Sequence, residues 1–291
     1  MVRRMTPYLF LLPALVLIFF FFLIPLVETV IISFQKYVLY EPNDIRFIGI
    51  SNYKKAFFED PDFWISMKNS MIWTGGSLLF QFVLGFGLAL LLNEPFKGRG
   101  LYQSVIFLPW AVPGFLIGIT WRWMYNARFG VINDILLKLG IINRPIAFLS
   151  LPNKSLLAVI VANIWFGIPF FAIMILSGLQ AISPQLYEAA EIDGAGTFSR
   201  FFYITLPLLR HVIVVAIILR MIWIFNFADL IYIMTQGGPM NTSQILTTYI
   251  FFRAYASMDF GYAAALSVIA VCILLAMSIL LLKITRFESE V

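Results

Sequence analysis

The chain has 291 residues, of which 61% are hydrophobic and only 12% are charged, and its formal net charge is +5. A water-soluble domain carries roughly 25% charged residues, so this chain has too little polar surface to fold as a soluble globule, and we predict an all-α membrane protein. The mild basic excess is ordinary beside anionic lipid headgroups, and no basic stripe with interleaved aromatic residues points to nucleic acid.

Six apolar segments, taken in chain order, are each long enough to cross a bilayer as a helix, which needs about 20 residues. They cover residues 8–33, 70–92, 104–124, 154–179, 211–234 and 262–282 of a single transmembrane domain, 1–291. Arg3 and Arg4 before the first segment favour a cytoplasmic N-terminus, and six crossings then place the C-terminus on the same side. The first segment is too long for a signal-peptide core, so we expect it to be retained.

Two of the predicted outer connections contain amphipathic stretches. NYKKAFFEDPDFW mixes aromatic and charged residues over a helix-length stretch that ends at Asp60 and Pro61. VINDILLKLG, residues 131–140, places Ile132 and Ile135 on one helical face and offers Gly140 as a stop. Both stretches have the pattern of helices lying in the membrane interface. They serve either as connectors with interfacial anchors or as a docking surface for an external partner.

Motifs for catalysis and cofactor binding are missing from the sequence. No GxxxxGK[ST] phosphate loop, HExxH motif or pair of cysteines occurs, since Cys272 is the single cysteine. His211 is the single histidine and lies at a predicted membrane boundary. We therefore expect no catalytic residue, no metal site and no cofactor bound by this chain.

Polar side chains inside the predicted spans are costly, and each is a candidate functional group. They are Glu28, Gln81, Asn163, Arg220, Asn226 and Asp229. Arg220 lies near the middle of the fifth span, given a rise of about 1.5 Å per residue. It either pairs with a carboxylate or carbonyl group to hold helices together, or lines a wet cavity.

Aromatic residues gather at a similar depth in spans four and five. They are Trp165, Phe166, Phe170 and Phe171 on span four, with Trp223, Phe225 and Phe227 on span five. Gly167 and Pro169 interrupt span four near its middle, which membrane helices tolerate beside a cavity or neighbouring protein. Flat aromatic faces beside a few hydrogen-bonding groups suit a sugar, while packing between helices is the alternative.

The connection between spans four and five, residues 181–208, is unusually polar. Ser183 and Pro184 predict a helix start, and Gly194 predicts the end of a short helix over 184–193. Thr197 predicts the cap of a second short helix, through Ile204, that leads into span five. The pattern fits either an amphipathic linker or a helix-turn-helix that sits in a partner's groove.

Within this connection, Glu188-Ala189-Ala190, Gly194 and Ile204-x-Leu206-Pro207 resemble the EAA motif of binding-protein-dependent ABC importers. In that family the loop forms a cytoplasmic coupling helix that fits a cleft on the ATPase, its glutamate contacts the ATPase and its glycine permits the turn. The resemblance implies these roles for Glu188 and Gly194. The positions it implies for ATPase coupling are Glu188, Ala189, Ala190, Asp193, Gly194, Ile204, Leu206 and Pro207.

Longer stretches, such as residues 107–133 and 225–239, are similar to the first permease subunit of maltose-type importers, a group that includes trehalose and glycerol-3-phosphate importers. There the sugar sits midway across the bilayer against the helices that match spans four and five. The resulting substrate candidates, with the polar Asn226 added, are Phe166, Gly167, Phe170, Arg220, Trp223, Ile224, Asn226 and Phe227. The resemblance implies a disaccharide or oligosaccharide such as trehalose or maltose, with glycerol-3-phosphate or a polyol as the alternative.

The same resemblance implies the six-span type I ABC importer permease fold in a prokaryotic plasma membrane, working by alternating access. The implied partners are a second permease subunit, a homodimeric ATPase that uses ATP and Mg, an extracytoplasmic solute-binding protein and membrane lipid. The alternative class of transporter is an ion-coupled secondary transporter, which is indicated by two ionisable residues, Arg220 and Asp229, within one span. A membrane scaffold without transport has no positive support.

Overall fold

The computed structural model of the chain describes residues 2–285, which are mostly helical. A helix satisfies its backbone hydrogen bonds within one segment, so long apolar runs in a bilayer become helices. In chain order the α-helices are α1 (Val2–Ile18), α2 (Ile24–Ser33), α3 (Ser51–Lys54), α4 (Pro61–Asn93), α5 (Arg99–Ala111), α6 (Gly114–Met124), α7 (Val131–Lys138), α8 (Ser155–Gln180), α9 (Pro184–Ile192), α10 (Thr197–Arg200), α11 (Leu206–Asn226), α12 (Asp229–Met234), α13 (Leu246–Phe251) and α14 (Phe260–Ile284).

Short irregular elements join these helices. π-helical segments occupy Phe19–Leu23, Lys55–Glu59, Phe201–Thr205 and Phe252–Ala256, and 3-10 turns occupy Pro42–Asp44 and Phe148–Ser150. Two short strands, β1 (Gln35–Lys36) and β2 (Arg46–Phe47), pair antiparallel after α2. The predicted outer helices are present: one ends at Glu59, just before Asp60 and Pro61, and α7 is followed by Gly140 at φ +69°.

Five helical stretches among the described residues are long and apolar enough to cross a membrane. They are Phe10–Ser33, Pro61–Asn93, Ser155–Gln180, Thr197–Met234 and Phe260–Ile284, and a sixth crossing results if α5 and α6 form one span. An all-α membrane protein with up to six spans is thereby confirmed. The side on which the termini lie stays a prediction.

The segment predicted as the third span, 104–124, contains two helices, α5 and α6, and not one. α5 and α6 meet at an angle of 93°. Val112 between them is extended, with φ −86° and ψ 129°, because the ring of the following Pro113 disfavours helical backbone in the residue before it. Proline also lacks the N–H that would continue the hydrogen-bond ladder. Apolar composition alone does not reveal this break.

The chain divides into two compact units. One comprises the described residues up to Trp64 together with Tyr249–Ile273, and the other comprises Ile65–Thr248 together with the described residues from Leu274 onward. In the second unit, Trp73 on α4 is fully buried and donates its indole N–H to the carbonyl oxygen of Ile224 on α11, at 2.8 Å. This bond ties α4 to α11, and Val159 of α8 belongs to the same buried cluster.

The first unit is organised around the buried carboxylate of Asp60. The hydroxyls of Tyr249 and Tyr262 donate to its Oδ2, the latter at 2.6 Å, and Arg253 Nη2 lies 3.4 Å from the same oxygen. Oδ1 accepts the backbone N–H of Asp62 at 3.0 Å, at the start of α4. Burial alone would raise the pKa of Asp60, but these hydrogen bonds and the charge of Arg253 outweigh burial and hold the pKa below its usual value.

Candidate functional site

A buried arginine lies in the membrane-spanning part of the second unit. Arg220 on α11 is only 3% exposed, and its Nε donates to Gln81 Oε1 on α4 at 2.7 Å. Gln81 in turn donates through Nε2 to the backbone carbonyl of Asn163 on α8, at 2.8 Å. Three helices are thereby joined through one guanidinium and one carboxamide.

Close packing at Gly167 makes room for this pair. A Cβ atom at Gly167 would lie 2.1 Å from Gln81 Cδ and 2.4 Å from Arg220 Nη2, closer than real Cβ contacts allow. The glycine that interrupts span four therefore permits α8 to approach the two polar side chains. Its helical backbone is ordinary, so the requirement is for space and not for unusual dihedral angles.

Aromatic rings surround the guanidinium. The centre of the Arg220 guanidinium lies 5.7 Å from the ring centroids of both Phe166 and Phe170, within range of cation–π attraction. Phe166 stacks on Phe227 with centroids 5.5 Å apart. Trp223 lies 5.4 Å from Phe170, so rings from α8 and α11 line one continuous wall.

This wall encloses one side of a cavity of about 300 Å³. The cavity is lined by Trp110, Phe166, Arg220, Ile222, Trp223, Ile224, Asn226 and Phe227. Six of the eight predicted substrate residues line it, while Gly167 and Phe170 lie behind them, against Arg220. Trp223 is 47% exposed, so the cavity is open on this side of the single chain.

Sequence reasoning missed Trp110 as part of the cavity. Its ring lies 5.8 Å from Phe170 and 6.4 Å from Trp223. Trp110 is near the C-terminal end of α5, just before the 93° bend. Pro109 and Pro113 on either side of it were the available signal, because a broken membrane helix marks a candidate binding site.

Other polar residues of the spans lie elsewhere. Asp229 is exposed on α12 and forms no ion pair with Arg220. Asn226 is exposed at the cavity edge, and its Nδ2 donates to the backbone oxygen of Ile222 at 2.9 Å. Asn163 is fully buried, with neither side-chain atom hydrogen-bonded.

The connection between α8 and α11 contains the predicted short helix. α9 begins after Ser183 with Pro184 in its first turn, although the Ser183 side chain forms no capping hydrogen bond. Gly194 has φ +80°, and the N–H of Ala195 donates to the carbonyl oxygen of Ala190 at 2.8 Å. Gly194 therefore ends the helix in the left-handed conformation that glycine adopts without a Cβ clash.

The predicted separate second helix was wrong in two respects. Gly196 stands at the N-cap position, and Thr197 is the first helical residue. From Thr197 the chain continues through the π-helical segment 201–205 into α11, so the expected second helix is the start of a long span. Proline is tolerated there because Pro207 falls in the first turn of α11.

Two side-chain contacts hold α9 against the start of that long helix. Arg200 Nη1 donates to Glu191 Oε2 at 3.0 Å, and the Tyr187 and Thr205 hydroxyls are 2.9 Å apart. These contacts, one of which reaches the buried Thr205, tie α9 to the start of the long helix in addition to the turn at Gly194.

The motif residues form an exposed surface. Glu188, Ala189, Asp193, Gly194 and Pro207 are exposed. Ala190, Ile204 and Leu206 are half-buried beside them. Three large apolar side chains next to this surface are almost fully exposed: Ile192 at 87%, Phe198 at 83% and Tyr203 at 82%. Exposed apolar groups around a carboxylate are typical of an interaction surface.

Comparisons with known proteins agree with this architecture. The family model described as "Binding-protein-dependent transport system inner membrane component" matches residues 81–287. The trehalose/maltose transport system permease protein MalF of Thermococcus litoralis is 37% identical over 97% of this chain and 94% of its own length. The sulfoquinovosyl glycerol transport system permease protein SmoG of Agrobacterium fabrum is also 37% identical, over 97% and 91%.

A solved structure shares the fold. A bacterial ABC transporter involved in the import of the acidic polysaccharide alginate superposes with a TM-score of 0.84, over 99% of this chain and 97% of that one. The sequence identity is 24%, so the likeness concerns the fold alone. Among the described residues, no cluster of three or more histidine, cysteine, aspartate or glutamate side chains could hold a metal ion.

Proposed function

The chain belongs to the binding-protein-dependent inner membrane components, as a multi-pass plasma-membrane permease subunit of a sugar ABC importer and not an enzyme, and we propose that it carries a disaccharide or oligosaccharide such as trehalose or maltose by alternating access. Trehalose and maltose are the solutes in the name of one relative, and arabinooligosaccharides are those of another, the permease protein AraP of Bacillus subtilis, at 30% identity.

The aromatic cavity is the observation that supports a sugar as its occupant. Phe166, Trp223 and Trp110 present apolar ring faces, while Arg220 and Asn226 offer hydrogen-bond donors at the same place. A sugar has apolar C–H faces, which pack against aromatic rings, and hydroxyl groups at its rim, which accept hydrogen bonds from polar side chains. The volume of about 300 Å³ is at the lower end for small-molecule sites.

The open side of the cavity suits a second permease subunit. Trp223 and Asn226 are exposed on this chain, and a partner helix laid across them would enlarge the site and exclude lipid. In alternating access the solute must bind differently to the outward and inward states, since equal binding to both would shift nothing. Repacking of the partner against Trp223 would supply that difference.

The loop centred on α9 is the proposed contact with a homodimeric ATPase that binds ATP and Mg. Glu188 projects from an exposed helix whose neighbours Ile192 and Phe198 are also exposed, which suits insertion into a cleft. The contacts of Glu191 with Arg200 and of Tyr187 with Thr205 would carry the motion into α11. An extracytoplasmic solute-binding protein would deliver the sugar.

The experiment that tests this proposal is sugar uptake by proteoliposomes that hold the chain with its co-purified permease and ATPase. With the solute-binding protein outside and ATP inside, labelled trehalose or maltose should accumulate, and Trp223→Ala should reduce the rate at least tenfold. Phe80→Ala, which removes an exposed aromatic ring of α4 outside the cavity, is the matched control and should leave the rate unchanged. Uptake that proceeds without ATP would replace this proposal with an ion-coupled carrier.

Glycerol-3-phosphate or a polyol is the second candidate cargo. Arg220 lines the cavity and offers a guanidinium group to the phosphate of glycerol-3-phosphate. In the same vesicles, ATP-dependent uptake of glycerol-3-phosphate with no uptake of either disaccharide would select this alternative. The identity of the transport machinery would be unchanged by that result.

A further inference from the structure

The positive charge of Arg220 has no counter-charge in the part of the chain from residue 2 to residue 285. Its one hydrogen bond is to the neutral carboxamide of Gln81, and no described aspartate or glutamate forms a salt bridge with it. Its Nη2 is buried without any hydrogen-bond partner. A buried unpaired charge is costly, so this arrangement calls for a partner that is supplied from outside the chain.

The guanidinium is also held in place and not free to move toward lipid headgroups. Gln81 holds Nε, and Gln81 is itself held by the backbone oxygen of Asn163. Phe166 and Phe170 flank the charge at 5.7 Å, and Gly167 leaves space for the Nη2 end. Since Nε is bonded to Gln81 and Nη2 is packed against Gly167, Nη1 is the donor left for the cavity that Arg220 lines, and a guanidinium N–H binds carboxylate, sulfonate or phosphate oxygens.

A purely structural role would not require a charge at this position. Gln81 needs only a neutral donor for its Oε1, and the ring contacts of Phe166 and Phe170 could be made by an apolar side chain. Cation–π attraction offsets part of the cost of burying a guanidinium, yet it neutralises no charge. An anion that occupies the cavity lined by Arg220 would neutralise this charge.

We infer that the transported sugar carries an anionic group, a carboxylate, sulfonate or phosphate, which Arg220 binds while the aromatic wall holds the sugar ring. This inference rests on the proposed import of a sugar by this chain, and it replaces the neutral trehalose and maltose named there with an acidic sugar of similar size. Trp223 and Phe166 pack against the C–H face of the sugar ring, and the Arg220 guanidinium binds the charged substituent at the edge of that ring. A neutral sugar of the same size fills the cavity but leaves the arginine unpaired, and therefore binds more weakly.

Binding to the assembled membrane complex, in nanodiscs and without the solute-binding protein, separates this inference from transport. Tryptophan fluorescence reports occupancy, since Trp110 and Trp223 line the cavity. The probes are two pairs that differ in charge, trehalose against trehalose 6-phosphate and glucose against glucuronate. In the wild-type complex each anion should bind at least roughly tenfold more tightly than its neutral partner, as expected for one charge-assisted contact.

Arg220→Gln should remove the preference, so that the two members of each pair bind within about twofold of one another. Arg220→Lys keeps the charge without the fork and should keep part of the preference. Lys138→Gln, which removes an exposed charge on α7, should leave the full preference. Equal binding of both members by the wild-type complex, or a preference that survives Arg220→Gln, would overturn the inference.

The wild-type comparison needs no variant to fold, so the inference stays testable if Arg220→Gln fails to assemble. Failure of the proposed function would look different. In that case no ATP-dependent uptake of any sugar would occur in proteoliposomes, whatever the ratio of affinities in nanodiscs.

Discussion

Replacing Gly167 by alanine adds a methyl group where α8 packs most closely against the side chains of Gln81 and Arg220. The new methyl group would lie 2.1 Å from Gln81 Cδ, 2.2 Å from Gln81 Oε1 and 2.4 Å from Arg220 Nη2. Real Cβ contacts are no shorter than 3.0 Å, so Gln81 must withdraw by about 1 Å. That movement stretches or breaks the 2.7 Å bond between Arg220 Nε and Gln81 Oε1.

The expected loss combines two effects of known size. Overpacking a filled interior costs about 1–3 kcal/mol, and loss of a hydrogen bond to a buried charged group costs about 1.5–3 kcal/mol. The better helix propensity of alanine offsets about 1 kcal/mol of this. We expect a net destabilisation of roughly 2–4 kcal/mol, or a fall in Tm of roughly 5–10 °C for a chain of this size.

Thermal unfolding of the purified chain in mild detergent measures this effect, with Gly76→Ala as the matched control. Gly76 lies on the neighbouring α4, where a Cβ would meet Ile160 side-chain atoms at 3.9 Å, an ordinary contact. The control should therefore keep or slightly raise the Tm. A Gly167→Ala chain that is as stable as the Gly76→Ala chain would refute the packing of Arg220 and Gln81 against α8.

Three further variants test other parts of the account. Glu188→Ala should reduce the amount of ATPase that co-purifies with the tagged chain by about tenfold or more, whereas Asp134→Ala, which removes an exposed acid on α7, should leave it unchanged. Equal recovery of the ATPase by both variants would remove Glu188 from the interface. Gly194→Val forces a β-branched residue to φ +80°, which should destabilise the end of α9 by about 1–2 kcal/mol and reduce the amount of ATPase recovered in the same pull-down. Gly194→Asn should retain most of the ATPase, because asparagine tolerates this backbone conformation. Asp60→Asn should cost about 1.5–3 kcal/mol at neutral pH. Folding lowers the pKa of Asp60, so its ionised carboxylate contributes its full stabilisation above the ordinary pKa of about 3.9 and loses it as the pH falls through the lower pKa of the folded state. The difference in Tm between the wild-type chain and Asp60→Asn should therefore shrink in acid. A difference in Tm that does not change with pH would contradict this.

Features set by local chemistry were predictable from the sequence. Ser183 and Pro184 start α9, and Gly194 ends it, because each residue has a backbone preference that acts over one turn. The long apolar runs were also predictable as helices, because in a bilayer a single segment satisfies its backbone hydrogen bonds by forming a helix.

Features set by contacts between distant segments were not predictable. Arg220 and Gln81 were both recognised as costly polar groups, yet their pairing joins residues 139 positions apart. Pro109 and Pro113 signal a bend near Trp110, but the contacts of Trp110 with Phe170 and Trp223 depend on how α5 packs against α8 and α11. Thr197 starts a continuous span and not a separate helix, because the π-helical segment 201–205 allows the chain to continue without a break.

The location of the sugar is the central claim, and a cryo-EM structure of the assembled transporter with its solute bound tests it most directly. The account predicts solute density between Trp110, Phe166 and Trp223, with an acceptor oxygen within about 3 Å of the Arg220 guanidinium. Density at another place in the membrane, or a cavity filled by side chains of the second permease subunit in every state, would contradict it.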